Sequence, residues 1–189
     1  MQPAGESGPT LRRCGREWRV GTDADVGWIE GATSTGLTIT SAIPPVFADY
    51  ATIVVPDPND DLLVVRHLCD YSNSRNLWLG FLETGVSDVV FPEARRVQLY
   101  ADWNYVLVLA GPEEALTWRD DRPSQFHGRG PDLLFPTDRS WLLSWLWDDD
   151  WYCLGGPKDL IDTFLTRADL EARRVSLTED ATPPGHVAR

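Results

Sequence analysis

Apolar residues along this chain repeat at two different spacings, and the switches between them outline its elements. GWIEGA (27–32) and GLTIT (36–40) predict two short strands separated by small turn residues. In AIPPVFADYATIVVP (42–56), Pro44 and Pro45 exclude a central strand and suit the first turn of a short helix, after which residues 51–55 resume as a β-branched strand. DDLLVVRHLCDYSN (60–73) predicts a helix: Asp60 and Asp61 favour its positive end, and Leu62, Val65, Leu68 and Cys69 share one face. LWLGFLE (77–83) is the next predicted strand.

The second half contains an internal echo. RRVQLYADWNYVLVLAGPEEAL (95–116) and SWLLSWLWDDDWYCLGGPKDLI (140–161) share one plan of strand, Asp-containing turn, strand, Gly-Pro, acid and helix. Pro at the first helical position needs no hydrogen-bond donor, and Glu113, Glu114 or Asp159 suits the helix N-terminus. Leu160, Ile161, Phe164 and Leu165 form one apolar stripe to dock on the hairpin. EARRVQLYAD (93–102) also returns as EARRVSLTED (171–180), which predicts a last strand at 173–177. Two copies predict tandem hairpin-plus-helix units, at about 95–118 and 140–167, in an α+β domain on a largely antiparallel sheet. That domain is expected to span 17–180, between a flexible N-terminal segment (1–16) and a flexible tail (181–189).

Charge narrows the class of partner. The 189 residues carry 17 Lys plus Arg against 29 Asp plus Glu, a formal net charge of −12. Residues 23–65 hold seven acids and no Lys or Arg, and the lone lysine is Lys158. Phosphate binding requires clustered cations, so neither nucleic acid nor an anionic membrane surface is expected as a ligand. No apolar run approaches the roughly 20 residues that span a bilayer, and the first residues lack the apolar stretch of a secretory signal. The three cysteines, Cys14, Cys69 and Cys153, lack the spacing of a zinc site or a disulfide framework and read as free thiols of a cytoplasmic protein.

Three features are candidates for chemistry. Trp147, Asp148, Asp149, Asp150 and Trp151 place three carboxylates at a turn between aromatics. Like charges this close need solvent or a partner, so the turn is either a solvated loop or a surface for a basic protein, with aromatic anchors for arginine. A divalent metal is the least favoured occupant, since the alternating ligands and the glycine of an EF-hand are missing. The second candidate is the irregular stretch DDRPSQFHGRGPDLLFP (120–136), where Asp120, Asp121 and His127 offer an alternative pocket for a small molecule, as a binding or an enzymatic site. His67, beside Asp70, reads as a boundary histidine, and His186 as an uninvolved tail residue. There is no G-x-S-x-G, H-E-x-x-H or C-x-x-C motif, so an enzyme is disfavoured and no cofactor is implied.

The segments IPPVFADYATIVVP, WLGFLETG, LYADWNYVLVLAGPEEALTW, DRSWLLSWLWDDDWYCLGG and EDATPPGH together resemble an uncharacterised family of actinobacterial cytoplasmic proteins across nearly the whole chain. IPPVFADY by itself is similar to the Leu-Pro-x-x-Tyr/Phe helix of the SUKH superfamily, whose α+β members often serve as immunity proteins against polymorphic toxins. That resemblance implies an immunity- or antitoxin-like protein that neutralises a basic partner. It agrees with the reading of the acidic turn as a noncatalytic binding surface.

Overall fold

The computed structural model describes residues 8–57, 60, 62–72, 74–83, 91–118, 130–146 and 149–188. Its elements in chain order are β1 (Thr10–Arg13), β2 (Arg16–Val20), α1 (Asp23–Glu30), a 3₁₀ turn (Ile39–Ser41), β3 (Asp49–Val54), α2 (Leu63–Tyr71), β4 (Leu77–Leu82), β5 (Val97–Leu99), β6 (Trp103–Ala110), α3 (Pro112–Thr117), β7 (Leu133–Pro136), β8 (Leu142–Ser144), β9 (Tyr152–Gly156), α4 (Lys158–Leu165) and β10 (Glu171–Arg174). The strands form one sheet in the order β1-β2-β6-β4-β7-β8-β9-β3-β10, with β5 also beside β6. All pairings are antiparallel, and with four short helices the architecture is α+β.

Both hairpin-plus-helix units form, and the sheet shows them to be larger than the echo. β5 and β6 make a hairpin, and the chain then passes through α3 to β7, leaving β4 between β6 and β7. β8 and β9 make the second hairpin, and the chain passes through α4 to β10, leaving β3 between β9 and β10. The neighbour orders β5-β6-β4-β7 and β8-β9-β3-β10 therefore follow one plan. The middle strand of each unit comes from earlier in the chain, and α2 links the two. At the first Gly-Pro, Gly111 N donates to Glu114 Oε2 at 2.8 Å, so the acid of the turn satisfies one of the amides at the helix start. The EARR echo is not structurally equivalent: residues 93–96 form the turn before β5, whereas Glu171–Arg174 is β10 itself, two residues earlier than the predicted strand.

The sheet is covered on both faces, which explains why β4 carries no polar side chain at any of its positions. On one face Leu77, Leu79 and Phe81 of β4 and Val106, Val108 and Ala110 of β6 pack under α2, α3 and α4, through Val64, Val65, Leu68, Ala115, Leu160, Ile161 and Phe164. On the other, Trp78, Leu82, Tyr105, Leu107, Leu133, Phe135 and Leu142 pack over α1 and the 3₁₀ turn, through Val26, Ile29, Ile39, Ala42 and Ile43. Full burial of an aliphatic or phenyl side chain contributes about 1.5–3 kcal/mol, so the α4 stripe of Leu160, Ile161 and Phe164, each 0% exposed, is a major tie between helix and sheet.

Several expectations are corrected at the periphery. The strand predicted at 27–32 lies in and just after α1, because Thr22 N donates to Asp25 Oδ2 at 2.9 Å to start a helix whose Val26 and Ile29, three apart, reach the core together. The strand predicted at 36–40 is a single bridge, Thr38 to Asp180, followed by the 3₁₀ turn. Pro44 and Pro45 stand in a turn after that helical turn, not at a helix start. The N-terminal segment contributes a strand, since Cys14 (φ 52) and Gly15 (φ 77) make the two-residue turn of the β1–β2 hairpin. The tail also packs: Ala181 N donates to Leu37 O at 2.8 Å, and the Ala181 side chain is buried.

Gly155 on β9 is where the proline loop seats on the sheet. A Cβ there would stand 2.5 Å from both Ile43 Cγ2 and Phe47 Cδ2. Gly155→Ala is expected to lower stability by about 1–3 kcal/mol, the usual cost of overpacking, read as a fall in the denaturant midpoint at unchanged slope. A midpoint equal to the wild type would show that the loop is not seated in this way.

Candidate functional site: the acidic turn between β8 and β9

The two strands of the second hairpin are only three and five residues long, so the turn between them is fixed by side chains as well as by the ladder. Trp145 N donates to Asp132 O at 2.8 Å, and its indole Nε1 donates to Asp149 O at 2.6 Å. The indole also lies 5.2 Å from the Tyr152 ring, so Trp145 fastens the turn from the helical side of the sheet. Asp149 N donates to Leu146 O at 3.2 Å. On the opposite face Trp151 is 4% exposed and belongs to the second core cluster.

Asp150 is the exposed member, with 74% of its side chain open to solvent, and its Oδ1 lies 2.7 Å from His186 Nδ1. The His186 ring meets Trp151 edge-on at 5.9 Å and 76°. Of the residues picked from sequence, Asp149, Asp150 and Trp151 therefore come together here, while Trp147 and Asp148 lie outside the described residues. Trp151, proposed as an anchor offered to a partner, instead supports the turn from the core. Asp120, Asp121 and His127, the alternative pocket, also lie outside the described residues.

Sequence reasoning missed two participants. Trp145 stands in an apolar run, and nothing local marks it as the donor to Asp149. His186 reads from sequence as an uninvolved tail residue, and its partner Asp150 lies 36 residues away. The resulting arrangement is a carboxylate held outward on an aromatic base. It can steer and bind a guanidinium or ammonium group.

Several reactive side chains among the described residues are tied up in structure, while Cys14 is a free and exposed thiol. Burial pushes the Cys69 and Cys153 thiols up to about 12, so neither is a thiolate near neutral pH. Tyr100 Oη donates to Ala42 O at 3.1 Å and lies 2.8 Å from Ser144 Oγ, which leaves the serine proton for the tyrosine oxygen. Among the described residues no group of three or more His, Cys, Asp or Glu is placed to hold a metal ion. Nor is any helix long and apolar enough to cross a membrane. No protein-family model, curated protein or solved structure matches the chain, so the geometry carries the functional argument.

His67 joins α2 to α4. Arg167 Nη1 lies 3.2 Å from His67 Nδ1 and can only donate, so Nδ1 accepts and the ring proton sits on Nε2. Nε2 then donates to Thr163 Oγ1 at 2.8 Å, whose own hydroxyl donates to Leu160 O at 2.7 Å. Burial and the facing Arg167 hold the His67 pKa below its ordinary 6.5, against the smaller opposing pull of Asp70 and Asp169. The unfolded chain therefore takes up the proton first as pH falls. The stability held in this clamp is complete above 6.5 and is lost as pH drops below 6.5 towards the folded-state value. In His67→Gln, the fall in unfolding free energy between neutral and mildly acidic pH is expected to be shallower than in the wild type, as measured by denaturant titration at each pH. Parallel pH profiles would remove His67 as their source.

Proposed function

We propose that the protein is a noncatalytic binding domain, of immunity or antitoxin type, that neutralises a basic protein partner through the turn between β8 and β9. The observation that supports this most directly is Asp150, 74% of whose side chain is exposed on a turn fixed by Trp145, Trp151 and His186. A carboxylate held in place loses less side-chain entropy on pairing with an arginine than a mobile one, and three successive acids raise the rate of encounter with a cationic surface. Local composition favours the same sign of partner, because residues 140–166 hold five Asp and one basic residue, Lys158. Trp151 contributes by holding the turn, and not as a contact surface.

The partner class excludes nucleic acid on charge grounds, given 29 acids against 17 Lys plus Arg. A cytoplasmic location suits Cys14, Cys69 and Cys153, all of which are free.

The test is a pull-down from the native cell at low and moderate salt, quantified against a charge-matched acidic control. A basic protein should be retained stoichiometrically at low salt and released as salt rises. The triple variant Asp148→Asn, Asp149→Asn and Asp150→Asn is expected to weaken that association about tenfold or more, equivalent to roughly 1.4 kcal/mol, without lowering the melting temperature. Retention of the same partner by the triple variant, or no specific partner at either salt, would overturn the assignment.

A further inference from the structure

A second feature lies at the other end of β8. Residues 137–140, which lead into that strand, face the C-terminal end of α2 across a cleft of about 550 Å³ lined by Tyr71, Ser72, Ser74, Asp138, Ser140 and Trp141. That volume is within the range of small-molecule sites, although the lining carries far more hydroxyl groups than is usual for one. The floor is Trp141, 1% exposed and set close against β9, where a Cβ on Gly156 would stand 3.1 Å from its Cβ.

The walls carry one electrostatic sign. Tyr71 is the last residue of α2 and Ser72 its C-cap, so the cleft opens at the negative end of the helix, where the last carbonyls lack donors within it. Asp138 adds a carboxylate whose Oδ1 accepts from Ser140 N at 3.0 Å, and none of the lining residues is cationic. Arg139, between two of them, is turned away and stacks on Trp28, 5.4 Å from the ring centroid. Asp159, on α4, accepts from Tyr71 Oη at 2.8 Å.

Ser74 Oγ is engaged with the Asn76 backbone, but two other hydroxyls have capacity to spare. Ser72 Oγ accepts from Ser74 N at 3.2 Å, which leaves its proton to donate. Tyr71 Oη spends its proton on Asp159 and keeps its lone pairs. An anion would be repelled by Asp138 and the helix end, and an apolar ligand would strand these hydroxyls without partners.

We propose that this cleft binds a small hydroxylated ammonium, such as an amino sugar or amino alcohol, with its charged nitrogen between Asp138 and the α2 terminus and its hydroxyls on Ser72 and Tyr71. The site is separate from the acidic turn and does not depend on the partner proposed for it.

Glucosamine is the probe, and N-acetylglucosamine, which lacks the charge, is the control, each titrated into the ¹⁵N-labelled full chain at neutral pH. Glucosamine should give saturable amide shifts in the millimolar range, centred on residues 71–76 and 137–141, while N-acetylglucosamine gives none. Asp138→Asn keeps an oxygen for the Ser140 amide and removes the charge, so it should retain the fold and weaken glucosamine binding about tenfold. A spectrum of the variant that matches the wild type outside the cleft checks the fold. Absence of saturable shifts with glucosamine, equal binding of the control, or undiminished binding by Asp138→Asn would each overturn the proposal.

Discussion

β4 is paired on both edges and covered on both faces, and that constraint shapes the rest of the molecule. All six of its residues, Leu77–Leu82, are buried, with β6 along one side and β7 along the other. A strand in that position cannot carry a polar side chain without a partner, and it needs a layer of apolar structure above and below. α2 and α3 help supply the upper layer, and α1 and the 3₁₀ turn the lower. Close approach along the sheet also matters: Gly80 sits opposite Leu133 of β7, and a Cβ on it would come within 2.7 Å of Leu133 Cβ. The two repeated units meet at the β7–β8 pairing beside this strand, so its burial also fixes where they join.

The parts of this arrangement that depend on neighbours in sequence could be read from the chain. The first Gly-Pro turn, both hairpins and the α4 stripe follow from residues near one another in the chain and form as predicted, while Pro157 of the second Gly-Pro is the N-cap of α4 and not its first helical residue. The positions of β3 and β4 as the middle strands of the two units could not be read. Each is placed by pairing with strands far along the chain, Ala51 with Leu154 and Leu79 with Val108, and no local pattern encodes such partners. α1 was mistaken for a strand because Gly27 and Gly31 interrupt its helical pattern, while the Thr22 to Asp25 pairing that starts it spans only four residues. At the candidate site the exposure of Asp150 was legible because adjacent carboxylates suit solvent. The burial of Trp151 was not legible: in a sheet covered on both faces, alternation no longer separates inside from outside, and Trp151 and Tyr152 are both buried, one on each side.

Positive charge is used inside the protein's own surface network. Arg174 bridges Asp49 and Asp162, Arg96 pairs with Glu83, Arg167 with Asp169, and Arg16 with Glu114. Such exposed pairs contribute little stability individually, about 0–1 kcal/mol each, but they leave the surplus of carboxylates to dominate the outer field. On the basic β1–β2 hairpin Arg13 lies over Trp118 and Arg16 over Trp18, although both arginines stay largely exposed. Many of the arginines are thus spent on aromatic faces and on the protein's own acids, and the chain keeps a formal net charge of −12.

The short β8–β9 hairpin connects the two candidate binding features, since the acidic turn lies at one end and the hydroxyl-lined cleft at the other. Its rigidity has a specific origin on each face. On the helical side Trp145 and Tyr152 pack together, while on the other Ser144 is held by Tyr100, which also bonds Ala42 and so ties the first unit and the proline loop to the second hairpin. A hairpin of three and five residues would be marginal by itself. Because both ends of β8 depend on these same attachments, a change in the core beneath Ser144 would be felt at the acidic turn and at the cleft together. The surface substitutions at Asp150 and Asp138 act on one end at a time, and that difference separates loss of a binding group from loss of the frame that holds it.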